Sequence, residues 1–107
     1  MVAKSVINDP VNDVLVSIVS LWEIAIKTSL GKLAIPQPFA EFIPKQIFEN
    51  QFDILSISIE HLAQVTTLPF HHRDPFDRLL IAQSLTENIS IVGRDPVFET
   101  YGASTIW

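Results

Sequence analysis

Cysteine is absent from all 107 residues. That excludes a disulfide framework and any cysteine-ligated metal, and it suits a reducing compartment, so a cytoplasmic protein is expected. No apolar run approaches the roughly 20 residues needed to span a bilayer, and no signal-peptide pattern opens the chain, so no membrane is expected as a partner. Positive charge is scarce: seven Lys and Arg stand against twelve Asp and Glu, a net −5. This argues against a surface that coats nucleic acid at large and leaves room only for a local basic patch. Repeats, low-complexity tracts and interdomain linkers are missing too. What remains is a single domain over residues 1–107, 48% hydrophobic and 18% charged. It is large enough for one core and too apolar for disorder.

β-Branched runs alternate with helical patterns along this chain. "DVLVSIVS" (13–20) predicts a strand buried on both faces. Ser20 then opens a helix carrying Leu21, Trp22, Ile24, Ile26 and Leu30 and ending near Gly31. "FAEFIPKQIFENQ" has helical spacing but contains Pro44, which predicts a break or kink. "FDILSIS" (52–58) predicts a second strand, with Ser58 capping a short helix after it. "ISIVGR" (89–94) predicts a third strand, "DPVFETYG" a helical turn, and "ASTIW" a last strand. The strand cores fall near 14–19, 53–57, 89–93 and 104–106. Strands separated by helices require crossover connections, hence an α/β fold with a parallel sheet.

The longest clear helix lies in "HHRDPFDRLLIAQS" (71–84). Asp74 suits the N-cap, Pro75 the first helical position and Asp77 the third, with Asn88 a left-handed stop. Phe76, Leu79, Leu80, Ala82 and Gln83 share helical spacing. In open α/β sheets, sites form beyond the carboxyl ends of strands. Glu23, Asp74, Asp77 and Asp95 all fall at such ends. Each has a local explanation: Ser20 and Glu23 form a capping-box pattern, and Asp95–Pro96 repeats the cap of Asp74–Pro75. Gathered at one rim, the carboxylates would repel unless a cation compensated them. An all-oxygen donor set suits Mg²⁺ or Mn²⁺. No serine, cysteine or histidine arrangement supplies a covalent nucleophile.

"VSLWEIAIKTSLGKL", "HHRDPFDRLLIAQS", "VGRDPVF" and "YGASTIW", in this order, resemble a PIN domain of the VapC-type toxin family over essentially the whole chain. The resemblance implies a three-layer PIN-like fold with a parallel sheet and a metal-dependent endoribonuclease of a toxin–antitoxin pair. The expected partners are an RNA substrate, a protein antitoxin and a second copy in a homodimer. Glu23, Asp77 and Asp95 match the family's acidic residues, which hold Mg²⁺ or Mn²⁺ and activate water; Asp74 is a further metal candidate or a cap. Arg73, Arg78 and Arg94 surround the rim and are candidates for contacting the RNA backbone.

One departure from the pattern sets an expectation of its own. Family members open with an aspartate-bearing strand resembling "LLDTH", whereas "AKSVINDP" resembles the helix after it. The expected domain therefore lacks a first, central strand and its surroundings, about 20 residues at ordinary element lengths. Such a loss would remove one ligand and leave inner strand edges to be covered by closure of the sheet or by another chain. The alternative reading is a catalytically degenerate PIN module that binds an antitoxin or a second PIN chain. A receiver-like or phosphatase-like domain would need an aspartate after its first strand, and none is there. His71 and His72 read as loop residues, Lys27 as the i,i+4 partner of Glu23, and Trp22 as core. Trp107 reads as an exposed aromatic at the end of the last strand.

Overall fold

Short polar side chains, those of Ser17, Ser58 and Asp74, cap the starts of three of the four helices among the described residues. The computed structural model describes residues 14–70, 74–92, 101–103 and 105–106. They form two compact units, one ending at Ser56 and one beginning at Ile57.

In the first unit, β1 (Leu15–Ser17) runs directly into α1 (Ile18–Ser29). The N-cap is Ser17, whose hydroxyl accepts the Val19 N–H at 3.0 Å. The predicted strand is thus half as long as its β-branched run, and the Ser20–Glu23 capping box does not form. Ile18 and Val19 satisfy either pattern, and a serine three residues earlier offers the same cap chemistry. The helix ends where expected. Gly31 takes φ +72°. Its N–H reaches the Thr28 carbonyl at 3.1 Å, and that of Lys32 reaches Lys27 at 2.9 Å. This is a Schellman closure, in which the left-handed residue falls to glycine because it has no Cβ.

α2 (Phe39–Glu49) passes through Pro44 without a break. Ala40, Glu41 and Pro44 are exposed, so water can serve the carbonyl deprived of its partner. Its end repeats the Schellman pattern on a worse residue. Gln51 sits at φ 56°. The Gln51 N–H reaches Phe48 at 3.1 Å and that of Phe52 reaches Ile47 at 3.0 Å. β2 (Asp53–Leu55) then pairs parallel with β1, in the register Leu15↔Asp53, Val16↔Ile54, Ser17↔Leu55. The pair is not buried on both faces, as its run of apolar residues predicted: Leu15 is 42% and Ile54 48% exposed. Trp22 is not core either, at 53% exposed. It lies roughly 60° around α1 from the fully buried Val19.

In the second unit, α3 (Ile59–Thr67) is followed by α4 (Pro75–Glu87), β3 (Ile91–Val92) and β4 (Thr105–Ile106). β3 and β4 pair parallel, Ile91 opposite Thr105 and Val92 opposite Ile106. Both described pairings in the chain are therefore parallel, as the alternation required, and the fold is α/β. α4 begins as predicted: the Asp74 carboxylate accepts the N–H groups of Phe76 and Asp77 at 2.9 and 3.2 Å. Asn88 ends it at φ 54°. Its buried arc is wider than the predicted stripe, taking in Arg78, Leu79, Ile81, Ala82, Gln83 and Ser84. Leu68, Ile81, Ala82 and Ala103 form the core, with Val65, Leu85, Ile91 and Tyr101 packed on it. No helix among the described residues is long and apolar enough to cross a membrane.

Two predictions follow from the helix ends. A Cβ at Gly31 would meet nothing within 4 Å, so its cost is backbone strain alone. In urea unfolding, Gly31→Ala should lower and Gln51→Gly raise the unfolding free energy, each by about 1 kcal/mol. Asp74→Ala should cost about 1 kcal/mol, while Asp74→Asn, an equally good cap, should cost little.

Candidate functional site

Asp77 occupies the third position of α4, one turn from the Asp74 cap, and is half-buried. Its backbone N–H is held by the Asp74 carboxylate, which fixes the first turn that carries Asp77. Asp74 is therefore a cap in the structure, whatever else its carboxylate does. Glu23 belongs to the other unit. With α1 starting at Ile18, it is the sixth helical residue, about one and two-thirds turns from the end of β1. It was expected at the third. The Lys27 ammonium lies 3.6 Å from its carboxylate, the expected i,i+4 pair. Asp95, Arg73, Arg94, His71, His72 and Trp107 lie outside the described residues. Among the described residues, no three His, Asp or Glu side chains gather into a metal-binding group. The donor chemistry fits a hard divalent cation: Glu23, Asp77 and Asp95 offer only carboxylate oxygens.

Arg78 is placed where sequence reasoning did not look for it. It is 6% exposed. One guanidinium nitrogen donates to the Pro69 carbonyl at 2.9 Å and the Tyr101 hydroxyl at 3.2 Å. The other donates to the Val65 and Leu68 carbonyls at 3.2 and 3.3 Å. The cation also lies 4.3 Å from the centre of the Phe70 ring. The C-terminal carbonyls of a helix, short of intrahelical partners and at the negative end of its dipole, are a natural seat for such a cation. This placement uses Arg78 inside the protein rather than toward RNA.

His61 is the residue that sequence reasoning missed. It is 1% exposed, at the third position of α3. Its Nδ1 accepts the Ser58 N–H at 3.0 Å, while its own N–H donates to the Ser58 hydroxyl at 3.2 Å. This is a capping box with histidine in the usual Glu or Gln place. Because Nδ1 accepts, the ring proton resides on Nε2, which donates to the Glu87 carboxylate at 2.9 Å. Gln83, also buried, lies 3.4 Å from Nδ1. The signal was present in "SIEH" (58–61), a serine with a side-chain acceptor three residues on.

The PIN domain family model matches residues 1–103. Ribonuclease VapC16 of Mycobacterium tuberculosis (strain ATCC 25618 / H37Rv) is 37% identical over 60 residues, 56% of this chain and 43% of that protein. The chain's match thus spans less than half the length of this curated relative. No solved structure matches the chain. With a family model covering nearly every residue, and both described strand pairings parallel, the chain belongs to the PIN domain family.

Proposed function

We propose that this chain is a VapC-like, metal-dependent endoribonuclease that hydrolyses a phosphodiester bond in RNA. The observation that carries the reading is Asp77, set at the first turn of α4 by the Asp74 cap within a chain that matches the PIN domain over residues 1–103. Similarity to a protein named as a ribonuclease supports the same chemistry. Glu23, Asp77 and Asp95 would hold Mg²⁺ or Mn²⁺, with Asp74 at the edge of the set. A divalent ion bound there would supply charge stabilisation at the phosphate and would ease deprotonation of the water that attacks it.

The residues of the chain do the rest. The carboxylates supply negative charge that only a cation can balance. Arg73 and Arg94, flanking Asp74 and Asp95 in sequence, offer the local positive charge for the RNA backbone that a chain of net −5 needs. A protein antitoxin and a second copy of the chain are the proposed protein partners, and the cytoplasm is the proposed location.

The test is cleavage of RNA by this chain in Mn²⁺, with and without chelator. Cutting should stop with chelator and fall roughly a hundredfold or more in Asp77→Asn or Asp95→Asn, the loss of several kcal/mol of stabilisation at the phosphate. Cutting that ignores both chelator and Asp77 would sink the proposal. Absence of cutting, with retained binding to an antitoxin or a second copy, would favour the degenerate module.

A further inference from the structure

We propose that Arg78 is a positioning residue for Asp77, working with the His61–Glu87 pair to set the direction in which α4 presents its first turn. The inference rests on the reading of Asp77 as a metal ligand. Its structural ground is independent of that reading.

α3 and α4 run antiparallel and are tied at both ends. The first turn of α3 meets the last residue of α4 through His61 and Glu87. The end of α3 meets the first turn of α4 through Val65, Leu68, Pro69 and Arg78. From Arg78 to Glu87 the two ties are about 13 Å apart along the helix. The same two helices share an aliphatic cluster, Leu68 with Ile81 and Ala82, against which Val65 and Leu85 pack. Interdigitating apolar side chains set the distance and crossing angle of the helices, and directional polar contacts at both ends add fixed points to that packing. Two polar ties at opposite ends pin the register and the rotation of α4 more closely than either would alone.

Rotation is what matters to Asp77. Neighbouring side chains on a helix point about 100° apart, so fixing the azimuth of Arg78 fixes that of Asp77. The Asp74 carboxylate holds the backbone of the same turn, and the Arg78 N–H reaches the Asp74 carbonyl at 3.0 Å. Tyr101 extends the tie to the segment ahead of β4. Lysine could not replace Arg78 in this role. An ammonium is a point donor, while the guanidinium reaches four acceptors from two nitrogens and lies over Phe70.

The experiment measures Mn²⁺ binding to the whole chain, by the electron paramagnetic resonance of free Mn²⁺, well below each variant's melting temperature. Asp77→Asn should abolish the site. Arg78→Lys, with Asp77 intact, should weaken Mn²⁺ binding roughly tenfold, the low end of what losing a group hydrogen-bonded to a ligand costs, because Arg78 acts on Asp77 through the helix. Tyr101→Phe, which removes one acceptor of four, should weaken it by roughly two- to fivefold. A lowered melting temperature in Arg78→Lys with wild-type Mn²⁺ affinity overturns the inference and leaves Arg78 as a brace alone. Where Arg78→Lys does not fold, unchanged affinity in Tyr101→Phe overturns it instead. An unaffected Asp77→Asn overturns the metal reading and the positioning role with it, so the two failures are told apart.

Discussion

A buried guanidinium has five N–H donors and no means of shedding its charge, so the chain around it must supply acceptors. In the second unit this constraint organises the junction between the end of α3 and the first turn of α4. The end of α3 turns its carbonyls toward Arg78, Phe70 lies beneath the cation, and Tyr101 brings its hydroxyl from 23 residues away in sequence. The core of Leu68, Ile81, Ala82 and Ala103 contains immediate neighbours of these polar contacts. Removing one partner of such a group costs more than the bond itself, because the rest is left buried and unpaired.

The opposite end of the same helix pair uses a different device for a similar purpose. His61 satisfies the backbone at the start of α3 with one ring nitrogen and reaches Glu87 with the other. A glutamate in its place could complete the capping box but would set a carboxylate against Glu87. Glutamine could pair with one side but lacks the fixed opposition of the two ring nitrogens. The aromatic ring thus carries two instructions, where the helix starts and which helix it lies beside.

Capping and the proposed chemistry fall on the same aspartates. Asp74, itself extended, caps α4 and holds the amide of Asp77, so the backbone carrying a proposed ligand is settled before any metal arrives. This explains why the segment "HRDPFDRLL", which by itself reads first as a helix start, can also be read as a site. In a PIN domain the reading as a site gains weight from the family, while the structure supplies the mechanical account of the helix start.

By itself the sequence determined the elements whose signals are local. Asp74–Pro75 and Asn88 bounded α4, Ser58 opened α3, Gly31 closed α1, and alternating strands and helices demanded parallel pairing. Each of these depends on the chemistry of a few adjacent residues, which any reader of the chain can see. Only tertiary structure chose between Ser17 and Ser20 as the start of α1, carried α2 through Pro44, and left Trp22 at the surface. Ile18 and Val19 suit a strand or a helix equally, and only packing breaks such a tie. Tertiary structure likewise took Arg78 inside. An arginine beside an aspartate looks like a substrate contact until the carbonyls of Val65, Leu68 and Pro69 are brought to it, and nothing in the spacing of those residues announces an acceptor.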